Sequence, residues 1–365
     1  MGKRQPALED LVTASPDRKF WQGRRVLLTG HSGFKGAWAA LWLHRLGARV
    51  HGFALPPEGD PNLWRELGGG LLAGETIGDL RDLEAVRAAV AEARPEIVIH
   101  MAAQALVRRG YRDPVGTFAA NTLGTAHLLE ALRGAGGLRA VLVVTTDKVY
   151  SNSGEGRPFR EDDPLGGADP YSASKAAAEL VARSFAASFL EPAGVAVATA
   201  RAGNVIGGGD WAEDRIVPDL WRAAQAGEPL LMRSPEALRP WQHALDPLAG
   251  YLRYVEALAA GGEVPRALNF GPAPDEAMSV AALADAVGEG LSGSLGWIVD
   301  GGDHPSEAAA LSLDSSLARA SLGWAPRLSL PEAARWTADW YSGFANGAGA
   351  RPLCDDQIAH YEALE

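Results

Sequence analysis

Tyr171 and Lys175 stand four residues apart in the string Tyr171-Ser172-Ala173-Ser174-Lys175, a spacing that puts both on one face of a helix. An ammonium beside a phenol favours the phenolate. A phenol tuned in this way toward neutrality takes a proton from an alcohol while hydride leaves the same carbon. Alone, tyrosine and lysine at this spacing are common, and the pair reads first as two exposed residues on a helix surface. A second group narrows the reading. Residues 140–144 form an apolar strand pattern that ends in Thr145-Thr146-Asp147-Lys148-Val149-Tyr150. The carboxyl ends of parallel strands face the ligand crevice, so Thr146, Asp147 and Lys148 are placed for chemistry. The plainer alternative is a polar strand terminus.

Both groups need a scaffold, and the chain supplies one. Arg25-Val26-Leu27-Leu28-Thr29 reads as a buried strand, followed at once by Gly30-His31-Ser32-Gly33-Phe34-Lys35-Gly36. A helical pattern then runs through Trp38, Leu41, Trp42 and Leu46 to a stop at Gly47. Strand, glycine turn and helix form the context of a dinucleotide fingerprint. Gly30 permits the turn, Gly33 lets backbone approach a pyrophosphate, and Gly36 lets helix pack on strand. The helix N-terminus aims unpaired amides at the phosphates. The next strand, residues 49–54, carries no acid for the adenosine ribose at its end; Glu58 and Asp60 come late. That end therefore does not select NAD over NADP, and Lys35 can hold a phosphate of either or be solvated.

Alternating strands and helices continue to about Arg201, which predicts an α/β fold with a parallel, doubly wound (Rossmann) sheet. Asp79, beside Leu80, can meet an adenine amino group or cap the helix of residues 83–93. Residues 97–101 read as a buried strand leading into Ala102-Ala103-Gln104, small enough for a cofactor to lie against backbone. Asn121 sits in a helical stretch, as a cofactor neighbour or a polar core residue. Beyond Arg201 the pattern loosens into loops rich in Gly, Pro and Trp, including those around Trp211 and Trp241, as expected of a smaller, mixed α/β lobe that builds a binding surface. The expected division is a leader over 1–19, a nucleotide-binding domain over 20–203 to which 246–277 returns, a substrate lobe from 204–245 and 278–345, and an irregular tail over 346–365.

Composition agrees. At 365 residues the chain can hold one large domain and a smaller lobe. A net charge of -11 argues against nucleic acid or an anionic membrane as partner. Cys354 is the only cysteine, which fits a reducing cytoplasm. No run of about 18 apolar residues suggests a membrane span, and residues 1–5 lack the apolar core of a signal peptide. No metal site is expected.

Taken together, the glycine turn, the Thr-Asp-Lys strand end and the Tyr-x-x-x-Lys helix resemble the extended short-chain dehydrogenase/reductases that modify nucleotide sugars. Among these the chain most resembles the 4,6-dehydratases acting on CDP-glucose. The strings that carry the likeness are Phe20-Trp21-Gln22-Gly23, the glycine turn with Ala37-Trp38, and His100-Met101-Ala102-Ala103-Gln104. They continue with Arg201-Ala202-Gly203-Asn204-Val205-Ile206-Gly207-Gly208-Gly209-Asp210-Trp211, Arg239-Pro240-Trp241-Gln242-His243, Asn269-Phe270-Gly271-Pro272 and Leu322-Gly323-Trp324 with Pro326. The likeness covers residues from about Phe20 to Tyr341.

The resemblance implies NAD as a retained cofactor. It is bound by the Gly30, His31, Gly33, Phe34, Lys35 and Gly36 turn, by Asp79, Leu80, Ala102, Ala103, Gln104 and Asn121, and by Tyr171 and Lys175. Hydride leaves carbon 4 of the hexose while Tyr171 takes the hydroxyl proton. Water is then eliminated across carbons 5 and 6, and hydride returns to carbon 6. Thr146 would hydrogen-bond the 4-oxygen, and Asp147, kept neutral, would protonate the departing hydroxyl. Lys148 stands where most hexose 4,6-dehydratases have glutamate. It can act as base with a depressed pKa or stabilise the enolate by charge. Gln104, Asn204, Arg215, Arg239 and His243 would contact the sugar nucleotide. For Arg215 and Arg239, guanidinium forks suit phosphate, and structural ion pairs are the alternative. A homodimer is also implied.

One stretch departs from this pattern. Residues 151–159 are polar and glycine-rich where the family carries aromatics, which opens the identity of the sugar. A 4-epimerase or decarboxylase would share Tyr171 and Lys175 without needing Asp147-Lys148. A non-catalytic NAD-binding sensor would usually lose the tyrosine or lysine, and here both stand.

Overall fold

A computed structural model describes residues 15–152, 154, 156–273, 276–291, 296–302 and 311–364. Its centre is a sheet of seven strands: β1 (Arg25–Thr29), β2 (Arg49–Ala54), β3 (Gly74–Ile77), β4 (Ile97–His100), β5 (Ala140–Val144), β6 (Ala196–Ala202) and β7 (Ala267–Phe270). The order across the sheet is β7-β6-β5-β4-β1-β2-β3, and every pairing is parallel. Strands β4 and β5 are buried at every position because helices cover both faces, which is why they read as unbroken apolar runs. Alternate side chains serve opposite cores. Leu27, Val98 and Val141 enter one, and Leu28, Ile97 and Leu142 the other, following the period of two of a strand.

Three helices position the site. Helix α1 (Phe34–Arg45) starts directly after the glycine turn and buries Trp38, Leu41 and Trp42; truncating either tryptophan would cost about 3–5 kcal/mol. Helix α2 (Pro170–Phe185) opens with Pro170 in its first turn. Its N-cap, Asp169, accepts from the Ser172 amide, a start that pre-sets φ and satisfies an orphan donor. Helix α3 (Leu245–Ala259) packs against β5 and β6. The strand order reverses at β1, flanked by β4 and β2, and there the glycine turn meets the segment after β4. A ligand crevice is expected at such a switch point.

The smaller lobe has short pairs, Leu230–Met232 with Trp297–Val299 and Leu238–Arg239 with Met278–Ser279, packed with helices Ile216–Ala226, Val280–Leu291 and Leu330–Ala345. The two loop tryptophans turn inward rather than forming a binding surface. Trp211 lies 5.3–6.4 Å, centroid to centroid, from Trp221, Trp340, Tyr341 and Phe344. Trp241 is buried and donates to the Met278 carbonyl at 3.1 Å.

The tail expected to be irregular contains a helix, Ala350–Ala363. It buries Ala350, Cys354, Ile358 and Tyr361, a stripe so narrow and built of such small residues that its period is faint in the sequence. Of the expected leader, residues 1–14 lie outside those described, and Arg18–Trp21 forms a short helix capped by Asp17. Among the described residues no helix is long and apolar enough to cross a membrane, and no group of three or more His, Cys, Asp or Glu side chains is arranged to hold a metal.

Candidate active site

The glycine turn is built for close approach. Gly30 has φ +80°, and a Cβ there would stand 2.6 Å from the Ala102 amide nitrogen. A Cβ on Gly36 would fall 2.0 Å from the Gly30 carbonyl oxygen. Above Gly33 the space is open, with only the Gly30 oxygen at 3.5 Å. Gly33 caps α1 without a side chain, so the first amides of the helix are left to an anion. Phe34 is half-buried and would be 3.3 Å from a Cβ on Gly207. The residues present therefore fit a dinucleotide pyrophosphate.

His31 is fully buried against β2, where a Cβ on Gly52 would be 2.6 Å from its ring. Its Nε2 lies 2.7 Å from Glu75 Oε1, and its ring meets Trp64 edge-on. Burial lowers its pKa despite Glu75. Lys35 is half-buried, with Nζ 5.9 Å from the centre of the Tyr251 ring. Burial, then the Arg215 charge, pulls its pKa down to about 8. Asp79 is paired with Arg81 through both carboxylate oxygens, and this pairing lowers its pKa. It does not cap the following helix, because Asp82 does. Leu80 is buried, and its carbonyl lies 2.8 Å from His127 Nδ1. Ala102 and Ala103 are half-buried. The Gln104 amide is engaged at both ends, donating to Thr117 Oγ1 at 2.9 Å and accepting from the Leu106 amide at 2.6 Å. Asn121 holds the Gln104 backbone from both sides.

Thr146, Asp147 and Lys148 form a tight turn at the end of β5. The Thr146 hydroxyl donates to Asp147 Oδ1 at 2.9 Å. The Tyr171 phenol lies against this side chain, a contact that favours the phenolate. Asp147 is 1% exposed; its Oδ2 is buried with no partner. A buried carboxyl oxygen left open in this way needs an explanation. A Cβ on Gly203 would come within 3.0 Å of that oxygen and 3.1 Å of Pro240 Cγ, so the Gly203-Asn204 and Arg239-Pro240 strings converge on Asp147. Lys148 Nζ stands 3.6 Å from Asp147 Oδ1, about a third exposed.

The tuning expected between Tyr171 and Lys175 takes a different form. Lys175 Nζ donates to the Val144 carbonyl at 2.8 Å and is lowered to about 8, first by burial and then by Lys35. The Tyr171 phenol is pushed up to about 12 by burial, which outweighs the Thr146 hydrogen bond; the cation acting on it is Arg215.

On the lobe side, Arg215 pairs with Asp210 at 2.8 Å and faces Lys35 and Tyr171. Arg239 is buried and donates to the Leu238 carbonyl at 2.9 Å. Asn204 Oδ1 is buried without a partner, open to a ligand donor. His243 is placed differently from the others. It is fully buried, enclosed edge-on by Trp38 and Trp336, and its Nδ1 accepts from the Leu245 amide at 3.3 Å. Burial holds its pKa near 3, so it stays neutral. It braces the glycine-turn helix against the second lobe, and its Nε2 is buried without a partner.

Residues to which the sequence assigned no role lock the helix of Tyr171 in place. Glu179, one turn beyond Lys175, accepts from Thr145 at 2.6 Å and from Thr199 at 2.9 Å. It also takes a buried, two-pronged bond from Arg201 at 2.8 and 2.6 Å. Arg201 reaches on to the Tyr150 hydroxyl at 2.8 Å. For Glu179 the sequence signal is its spacing of four from Lys175, whereas Thr145, Tyr150 and Arg201 lie within strings already singled out.

Parallel sheet, glycine turn and Tyr171–Lys175 helix together define a nucleotide-dependent oxidoreductase-type fold. The model of the NAD dependent epimerase/dehydratase family matches residues 26–271, and the chain belongs to that family. It is 44% identical over 351 residues to CDP-glucose 4,6-dehydratase of Salmonella typhimurium, a match covering 94% of this chain and 98% of that one. A dTDP-glucose 4,6-dehydratase of Xanthomonas campestris pv. campestris is 28% identical over 337 residues, covering 86% of this chain and 92% of the other. The solved UDP-glucose 4-epimerase of Thermus thermophilus in complex with NAD superposes with a TM-score of 0.74 at 27% identity, covering 87% of this chain and 99% of that chain.

Proposed function

We propose that the protein is an NAD-dependent hydro-lyase that converts CDP-glucose to CDP-4-dehydro-6-deoxyglucose. The observation that carries this reading is the 44% identity to the Salmonella dehydratase, sustained along nearly the whole of both chains. When bound, NAD accepts hydride from carbon 4 of the sugar and returns it to carbon 6. The protein's own residues do the rest. Tyr171 holds and moves the proton of the 4-hydroxyl. Lys175 fixes the helix that carries it to Val144, and the cation acting on the phenol is Arg215. Thr146, whose hydroxyl donates to Asp147 and faces the Tyr171 phenol, is placed to hydrogen-bond the 4-oxygen. The open Oδ2 of Asp147 is the atom from which the departing 6-hydroxyl takes its proton. Lys148, 3.6 Å from this carboxyl, is placed to take the carbon-5 proton, or to stabilise the enolate by charge while another group takes that proton.

An epimerase needs no acid beside Thr146, so the buried, open carboxyl of Asp147 favours the dehydratase over that reading. Arg215 and Asn204 are proposed contacts to the diphosphate and nucleotide. The altered 151–159 segment supports no separate reading: Phe159 stacks on Tyr150 at 4.8 Å and Arg157 pairs with Asp163. Residues 153 and 155 lie outside those described. A homodimer belongs to the same reading, supported by exposed Leu123, Leu180 and Phe189 on neighbouring helices. A cytoplasmic setting is supported by the single cysteine, buried and free. Incubating the protein and NAD with CDP-glucose tests the reading: loss of one water from the sugar is expected, and an unchanged sugar would refute it.

A further inference from the structure

His100 is the last residue of β4, buried and unused by the proposed chemistry. Its surroundings determine its proton. The Thr125 hydroxyl donates to the Asn121 carbonyl at 2.6 Å, and a hydroxyl has only one proton to give. At the 3.1 Å contact between Thr125 Oγ1 and His100 Nε2, the threonine must therefore accept and Nε2 must carry hydrogen. In a neutral ring Nδ1 is then an acceptor, and the Thr29 hydroxyl, 2.7 Å away, donates to it. Thr29 Oγ1 in turn accepts from the Met101 and Ala102 amides at 3.2 and 3.1 Å. Burial, with the Lys175 charge second, keeps the ring neutral.

The two sides of this ring lead to different parts of the site. On the Nδ1 side, Thr29 immediately precedes Gly30, and the Ala102 amide lies against Gly30. This is the edge along which the dinucleotide is proposed to lie. On the Nε2 side, Thr125 holds Asn121, which sits in a one-turn π-helical bulge, residues 119–123; such bulges recur at functional sites. The Asn121 amide orientation is settled because Oδ1 accepts from the Gln104 amide at 2.8 Å while Nδ2 donates to the Gln104 carbonyl at 3.0 Å. Nδ2 also donates to Ser174 Oγ at 2.9 Å, and Ser174 donates to the Tyr171 carbonyl at 2.7 Å. The chain of bonds ends on the backbone of the catalytic tyrosine.

We propose that His100, as a neutral ring in a single tautomer, is a positioning residue that holds the cofactor edge at Thr29 and Ala102 in register with the turn of α2 that carries Tyr171. The proposal rests on the assignment of the glycine turn and Tyr171 made above. Because the ring makes one bond by accepting and one by donating, two substitutions separate its functions. His100→Asn places an oxygen near the Nδ1 position and keeps only the Thr29 side. His100→Gln places an amide nitrogen near the Nε2 position and keeps only the Thr125 side.

The test measures NAD affinity by titration calorimetry and kcat on CDP-glucose at saturating NAD, with thermal melts to confirm folding. For His100→Asn, NAD affinity should stay within about threefold while kcat falls about tenfold or more, the scale of one buried hydrogen bond lost. For His100→Gln the pattern should reverse, with NAD weakened about tenfold and kcat at saturation within about threefold. Equal losses in both quantities for both folded variants, or no change in either, would overturn the proposal and leave His100 a core residue. NAD affinity needs no sugar. If wild-type protein left CDP-glucose unchanged, the dehydratase reading would fail, and the difference in NAD affinity between the two variants would still decide the role of His100.

Discussion

Lys175 and Val144 are joined by a 2.8 Å hydrogen bond from ammonium to carbonyl, which pins the helix carrying Tyr171 to the strand end carrying Thr146 and Asp147. The bond also sets a pH limit. Burial lowers the lysine to about 8, so it is charged below that pH and neutral above it. The dehydratase rate should fall as pH rises through about 8. Lys35 titrates in the same range, so the measurement is a kcat profile of wild type beside Lys35→Met. Persistence of the alkaline limb in the variant, moved to higher pH because the Lys35 charge no longer depresses Lys175, assigns it to Lys175, and its disappearance would assign it to Lys35.

Tyr171→Phe removes one hydroxyl from a buried site and leaves the fold, so the melting temperature should be nearly unchanged and NAD should still bind. Loss of a general acid–base group should lower kcat by about 10²–10⁴. A variant with more than about a tenth of wild-type kcat would mean that another group moves the 4-hydroxyl proton.

Lys148 offers a clean separation of charge from base chemistry, since arginine keeps the charge but cannot serve as base. With the ammonium 3.6 Å from Asp147 acting by charge, Lys148→Arg should retain about a tenth or more of kcat, and Lys148→Met should lose about a hundredfold or more. Equal inactivity of both, measured at saturating NAD and sugar, would make Lys148 the base.

Much of this site is legible in the sequence because parallel strands buried on both faces read as unbroken apolar runs, and their ends locate the crevice. Thr146, Asp147 and Lys148 follow from residues 140–144 in that way, as the glycine turn follows from residues 25–29. Other features depend on partners distant in the chain. His243 is assigned to the sugar nucleotide by resemblance alone, and nothing near it in the chain reveals that Trp38 and Trp336 enclose it. The tuning of Tyr171 differs from the expectation because helix spacing cannot show that Lys175 bonds to Val144 or that burial dominates the phenol. The helix Ala350–Ala363 escapes a periodicity reading because its buried stripe includes residues as small as Ala350 and Cys354.

Asp246 ties α3 to the carboxyl-terminal helix, its Oδ1 accepting from the Arg327 amide at 2.7 Å and the Tyr361 hydroxyl at 2.8 Å. Burial raises its pKa to about 7, above the usual carboxyl value. The folded protein thus keeps a proton that the unfolded chain has released. Stability from this group is full below about pH 4 and is lost as pH rises through the folded value, with a slope of at most about 1.4 kcal/mol per pH unit. Glu256, also raised to about 7 by burial, adds in the same direction. Urea unfolding at a series of pH values should show a shallower decline toward neutral pH in Asp246→Asn. An unaltered profile would remove Asp246 from the account.

The most direct measurement incubates purified protein and NAD separately with CDP-, UDP-, GDP- and dTDP-glucose and follows sugar mass and the alkali absorbance of a 4-keto product. The account predicts loss of one water from CDP-glucose, with the other three sugars turned over far more slowly. Bound NAD with no water lost from any of the four, or an epimer in place of a keto sugar, would contradict it.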